Sequence, residues 1–156
     1  MRDITVETTI AAPADRVWRI LTELPRYPEW NPFIRRARGS LEVGGTVRVR
    51  VRAALGIPLR FRARILASEP GRELRWRGQV GGEWLAMGEH SFRIEPAGEG
   101  HVRFVQHEHM AGLLPKLLHR LVEREARRGF EAMNRELAAR AERAEPAPDP
   151  AARASS

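Results

Sequence analysis

The sequence predicts an α+β domain in which one curved antiparallel sheet of about seven strands is covered by a single long C-terminal helix. Three observations carry this prediction. Apolar residues alternate with charged ones through residues 33–110, interrupted at short intervals by glycine and proline. The period then changes to helical spacing from Leu113 onwards. No other segment is long enough to cover the apolar face that such a sheet must bury.

Ile4, Val6, Thr8 and Ile10 share one side of an opening strand. Pro13 then stands where a first helical residue loses no useful N–H, and Asp15 suits the positive end of a helix. Val17, Ile20, Leu21 and Leu24 form one apolar stripe at i, i+3, i+4 and i+7, and Pro25 and Pro28 end it. The next stretch, YPEWNPF at 27–33, reads as too stiff for a helix and too short for a strand. It is expected to be an elbow whose prolines fix a bend and whose Trp30 and Phe33 anchor it by burial.

Residues 33–38 make a short strand. Val47, Val49 and Val51 then face away from Arg48, Arg50 and Arg52. Gly56 and Pro58 turn the chain. Leu59, Phe61, Ala63 and Ile65 lie opposite Arg60, Arg62 and Arg64. After the Pro70-Gly71 turn, Leu74, Trp76 and Val80 face inward, with Arg75 and Arg77 outward. Gly81-Gly82 breaks the run, and a strand over 84–94 puts Trp84, Gly88, His90 and Phe92 inward. Residues 102–110 close the series with Phe104, Gln106, Glu108 and Met110 on one side.

One continuous helix of about eight turns is expected from Leu113, at 3.6 residues per turn. Gly129 lies on its apolar side at a cost of about 1 kcal/mol against alanine, which implies an approaching backbone or a space kept open. Residues 145–156, rich in proline, alanine and serine, read as a disordered tail, so the domain spans 1–144.

The chain has 156 residues, a net charge of +7 and no cysteine, which excludes disulfides and thiolate metal sites. The opening MRDITVETTI has no apolar core and does not read as a secretory signal. A soluble, cytoplasmic protein is expected, monomer or homodimer. Of its 27 basic residues only Lys116 is a lysine.

The segments AAPADRVWRILTELPRYPEWNPF, EHSFRIEP, VQHEHMAGLLPKLL and RRGFEAMNREL resemble the START-like, or SRPBCC, superfamily, which includes polyketide cyclases/dehydrases, pollen-allergen-like and lipid-transfer proteins. The likeness covers roughly residues 1–143. It implies the helix-grip fold: a sheet that grips the last helix, two short helices after the first strand, and a hydrophobic cavity between sheet and helix. It also implies binding of a hydrophobic or amphipathic small molecule, lipid or polyketide-like. Catalytic residues differ among members, so none transfers.

A cavity in that position would draw its walls from Trp30 and Phe33 of the elbow and from Phe61, Trp76, Trp84, Phe92, Phe104 and Met110 of the strands. The last helix would add Leu117, Leu121, Phe130 and Met133. Three polar residues, His90, Gln106 and Glu108, fall on the same inner faces. A polar group there must find a partner or cost a few kcal/mol. His90 and Glu108 are the candidate catalytic pair, since a carboxylate beside an imidazole can move protons. The alternatives are a structural pair or a hydrogen-bonding hook for a ligand head group.

His107 and His109 form an H-x-H on the outer face, but zinc needs a third ligand and usually a fourth, so no metal is expected. His101 and His119 read as surface residues. G-x-S-x-G, G-x-G-x-x-G and P-loop patterns are absent, and no cofactor is expected. The rows Arg48, Arg50, Arg52, then Arg60, Arg62, Arg64, then Arg75, Arg77 should lie side by side on the outer face. A solvated face explains them, partly offset by Glu73, Glu83, Glu89 and Glu95. Weak contact with an anionic surface is the sharper alternative, without specific nucleic-acid binding, which usually adds exposed aromatic residues or a groove helix. Three functions follow: a binding module for a hydrophobic ligand, a cyclase/dehydratase-type enzyme, or a protein-interaction module using the basic face.

Overall fold

The structure, a computed structural model, describes residues 2–143. The tail expected at 145–156 lies outside them. The strands are β1 (Arg2–Ile10), β2 (Ile34–Gly39), β3 (Thr46–Arg52), β4 (Pro58–Glu69), β5 (Glu73–Val80), β6 (Ala86–Pro96) and β7 (Val102–Ala111). They form one seven-stranded sheet in the order β1-β7-β6-β5-β4-β3-β2, every pair antiparallel. Helix α1 spans Ala14–Thr22 and buries Val17, Ile20 and Leu21, the stripe read from the sequence. The last helix, α4 (His119–Glu142), lies across the sheet and buries Phe130, Met133, Asn134, Leu137 and Ala141.

The core is one layer of side chains between the sheet and these helices. Val47, Val49 and Val51 face it from β3, and Ala63 and Ile65 from β4. A bulge in β2 removes Arg35 from the ladder, so Ile34 and Ala37 both turn inward, three residues apart, while Arg36 and Arg38 turn outward.

The elbow differs from the sequence reading in one respect. Tyr27–Trp30 is a helical turn, α2, preceded by a 3-10 turn at Leu24–Arg26. Pro28 does not forbid it, because a proline in the first turn gives up an N–H that has no partner there anyway. The Asn31 side-chain oxygen then accepts from the N–H groups of Phe33 and Ile34 at 3.0 and 2.8 Å, which starts β2. Tyr27 packs edge-to-face on Trp30, ring centroids 5.3 Å apart, and its hydroxyl donates to the Leu21 carbonyl at 2.5 Å. The aromatic residues of YPEWNPF thus divide their labour: Tyr27 and Trp30 lock the elbow into the core, and Phe33 is passed on to the face beneath α4.

Burial holds the Tyr27 phenol well above its ordinary value of 10.0. A raised value means stability present below pH 10 and lost as pH rises, since the unfolded phenol ionises first. Tyr27 is the only tyrosine. Tyr27→Phe is expected to lose about 1 kcal/mol at neutral pH, the worth of one hydrogen bond. It should also flatten the loss of stability above pH 10, both read by equilibrium denaturation across that range.

The expected continuous last helix is broken. A short α3 (Leu113–Leu117) comes first, and the chain bends at Leu118 before α4 begins. The N–H groups of Leu113 and Leu114 donate to the carbonyls of Trp84 and Leu85, each at 2.9 Å. These bonds tie α3 to the β5–β6 turn, whereas α4 follows the sheet. Leu117 and Leu118 therefore face water, 65% and 48% exposed, and do not extend the buried stripe.

Candidate functional site

An apolar cavity of about 280 Å³ lies between the concave sheet face and α4. Its walls come from β3 and β4 (Val49, Val51, Leu59, Phe61), from β5 and β6 (Trp76, His90) and from α4 (Val122, Ala126). Three glycines shape it by omission. A side chain at Gly78 would strike the Phe61 ring, one at Gly88 would strike the Glu108 carboxylate, and one at Gly129 would strike the Phe33 ring. Gly129 thus admits an aromatic side chain, rather than the backbone or open space anticipated. The seated ring packs edge-to-face on Phe130, centroids 5.4 Å apart.

The strand register, which the sequence leaves open, puts His90 directly opposite Glu108 and Phe92 opposite Gln106. Trp76 lies across from His90 on the other side. The His90 ring is stacked on Phe92 at 4.3 Å and meets Phe130 edge-on at 4.8 Å. It is 4% exposed, so its polar atoms must be satisfied from within.

They are, through a chain of side-chain contacts anchored on a backbone carbonyl. The Gln106 amide nitrogen donates to Phe130 O at 3.4 Å and to Asn134 Oδ1 at 2.6 Å. A carbonyl only accepts, so the amide oxygen must be the atom 2.9 Å from His90 Nε2, and that nitrogen carries a hydrogen. Asn134 Nδ2 continues the chain to Thr8 Oγ1 at 3.2 Å. With Nε2 committed as donor, Nδ1 faces Glu108 Oε2 across 3.5 Å. That contact attracts only with a proton on one side or the other. Glu108 is the partly exposed member of the pair and borders the cavity. The arrangement can present one acid/base pair to whatever occupies a mostly apolar space, which Arg52, Gln79 and Glu125 also border.

Of the residues singled out by sequence, Phe33, Phe61, Trp76, His90, Glu108 and Met110 line the cavity. Phe92, Phe104, Phe130 and Met133 are fully buried behind its walls, as is Gln106. Trp30 belongs to the elbow's packing, and Leu121 is half-buried away from the cavity. Two placements correct the sequence reading. Trp84 is not in a strand: Gly81 and Gly82, both with positive φ, carry a turn through Leu85, and the indole stands 70% exposed. Leu117 sits on α3 and faces water for the reason given above. Sequence reasoning missed Asn134, although a polar residue one step from Met133 on the buried face of a helix was a signal. It also missed that Gly78 and Gly88 leave room for the Phe61 ring and the Glu108 carboxylate, which reach them diagonally, Ala63 and Met110 being the glycines' own register partners.

On the outer face, Asp3 joins His107 and His109, its carboxylate 3.3 and 3.1 Å from their rings. The hydrogen bond from His109 chiefly holds the Asp3 carboxyl below its ordinary value. Among the described residues no group of three or more His, Cys, Asp or Glu side chains is placed to hold a metal, and no helix is long and apolar enough to cross a membrane.

Comparison with known proteins agrees with this fold. The family model described as polyketide cyclase / dehydrase and lipid transport matches residues 1–142. The Zhui aromatase/cyclase from Streptomyces sp. R1128 superposes with a TM-score of 0.76 at 19% identity, over 91% of this chain and 94% of that one. A START superfamily protein from Mycobacterium smegmatis gives 0.72 at 20% identity, over 90% and 97%. A protein from Thermus thermophilus gives 0.72 at 19%, also over 90% and 97%. No curated protein matches the chain in sequence. At these identities the solved structures speak for the fold alone, which is that of START-like proteins, and the family match over nearly the whole chain supplies the assignment: the protein belongs to the polyketide cyclase/dehydrase and lipid-transport family.

Proposed function

We propose that the protein binds an amphipathic small molecule in the cavity, its polar end at His90 and Glu108 and its apolar body among Val49, Val51, Phe61 and Trp76. The observation that carries this reading is the His90–Glu108 contact at 3.5 Å, set into a mostly apolar wall whose other polar members are Arg52, Gln79 and Glu125. Size narrows the ligand. Pockets for drug-sized ligands run from roughly 300 to 1,000 Å³, and about 280 Å³ lies just under that range. A single acyl chain or a small fused-ring compound suits it, and a two-chain lipid does not. Glu108→Gln keeps the shape and removes the charge. It is expected to weaken hydroxyl-bearing ligands about tenfold or more, the worth of a hydrogen bond to a charged group, and to spare purely apolar ones. Equal loss for both classes in titration calorimetry would remove Glu108 from the site.

The contact between His90 and Glu108 favours a second reading, an enzyme of the cyclase/dehydratase type. The pair would take a proton from an activated carbon of a bound polyketone and return one to a leaving hydroxyl, with no cofactor. Turnover retained in a Glu108→Gln, His90→Ala double variant would refute that role.

A further inference from the structure

Large apolar side chains are exposed on three turns at one end of the sheet. The 3-10 turn Ala54–Gly56 and its flank carry Leu55, 82% exposed, and Ile57, 59% exposed. The β5–β6 turn carries Trp84, and α3 carries Leu113 and Leu117. Strand register brings the three together. Arg62 near the start of β4 pairs with Gln79 near the end of β5, Val80 pairs with Ala86, and Met87 pairs with Ala111 just before α3. Hydrogen bonds from α3 to Trp84 and Leu85 join two of the turns, and the Ala54–Gly56 turn packs against α4. Together they frame the cavity mouth, which Ala54 and Leu114 line. Leu55 has φ +60, alone among the described non-glycine residues in the left-handed region. A backbone conformation that favours glycine thus holds a leucine out in water.

Behind this apolar tip stands an arginine grid without counter-charges. Arg36, Arg50 and Arg60 lie abreast across β2, β3 and β4, and Arg38, Arg48 and Arg62 form the next row. Arg52 stands nearest the tip, opposite Pro58. Like charges placed directly opposite repel. Glutamates answer Arg75 and Arg77 on β5, through Glu73, Glu83 and Glu89. Among the described residues no carboxylate stands within 4.0 Å of the seven arginines on β2, β3 and β4 just named.

We propose that this end of the molecule docks on an anionic lipid bilayer, with Leu55, Ile57 and Trp84 in the interface and Arg50, Arg52 and Arg60 at the headgroup phosphates. The combination selects this partner. A polyanion in water would use the arginines and leave the leucine, isoleucine and tryptophan unexplained. A neutral apolar partner would leave the arginines unexplained. A bilayer surface offers both: an apolar layer that takes exposed Leu and Trp, and a negative one that attracts basic residues close behind them. The pair Arg50–Arg60 lies two residues behind Arg52–Pro58, roughly 7 Å at about 3.3 Å per residue, which keeps it within reach of the headgroups. This inference stands whether or not the cavity holds the ligand class proposed above.

The test is flotation with vesicles of phosphatidylcholine alone and of phosphatidylcholine mixed with phosphatidylserine, at low and high salt. The full chain is expected to bind the mixed vesicles, to bind neutral ones weakly, and to come off as salt rises. Leu55→Ser with Ile57→Ser should weaken binding about tenfold, and Arg50→Gln, Arg52→Gln and Arg60→Gln together about a hundredfold, with a flatter salt dependence. Circular dichroism checks the fold of each variant, and Trp84→Ser, on a different turn, must reproduce the loss. No binding to mixed vesicles overturns the proposal, as does undiminished binding by the apolar variants. Arginine-dependent capture of single-stranded RNA or of a polyglutamate, with vesicles ignored, overturns it in favour of another polyanion. A change in solution mass of the apolar variants without vesicles overturns it in favour of a second copy of the chain.

Discussion

Gln106→Leu is expected to destabilise the protein by about 3 kcal/mol, because it leaves buried groups without partners rather than removing a contact between exposed ones. Three groups lose their only hydrogen bond to this amide: His90 Nε2–H, Asn134 Oδ1 and the side-chain-facing lone pair of Phe130 O. Each orphaned group costs about 1–3 kcal/mol, offset in part by the leucine's own burial. Denaturant unfolding measures the loss. Histidine nitrogen NMR adds a readout that a merely structural residue would not move. The native protein should show the hydrogen on His90 Nε2, and Gln106→Leu should release that preference. A variant as stable as the native chain would mean that the network is not the support of the acid/base pair.

Gly129→Ala should be destabilising although it replaces glycine by the best helix former. Propensity alone would stabilise α4 by about 1 kcal/mol. The new methyl group would overlap the Phe33 ring near its attachment point, and a ring held there cannot swing away as a flexible chain end would. Overpacking of this kind costs about 1–3 kcal/mol and outweighs the gain. The ring's escape lies toward the cavity that it already lines, so the variant should also bind ligand more weakly. Shortening the ring in a Gly129→Ala, Phe33→Leu pair should restore stability toward the helical gain. A stabilising Gly129→Ala alone would mean that Phe33 is not seated against the helix.

These two residues also mark how far the sequence could be read. The existence and order of the strands and of the long last helix followed from period, since Val47, Val49 and Val51 opposite Arg48, Arg50 and Arg52 leave a strand only one way to lie. Inward placement of His90, Gln106 and Glu108 followed from the same alternation. Which of them touch did not, because register is set by the whole ladder and by bulges such as that at Arg35. Which inward side chains border the cavity and which fill the core was illegible for a related reason. Phe92 and Phe104 alternate as Phe61 and Trp76 do, yet the first two fill the core while the latter two border empty space, and what separates them is the glycine at 78 and the course of α4. Trp84 and Leu117 were misplaced because two glycines lengthened a turn and α3 was tied to it by backbone bonds that side-chain periodicity does not record.

The proposed function stands or falls on a ligand in the space between sheet and α4. Ala126, on the α4 wall, can be replaced by tryptophan to fill that space. Native mass spectrometry of gently purified protein, offered single-chain lipids and fused-ring phenols, is the most direct test. A discrete one-to-one adduct is expected with the native chain and none with Ala126→Trp at unchanged fold. No adduct with any compound, or one that survives the filled cavity, would contradict it.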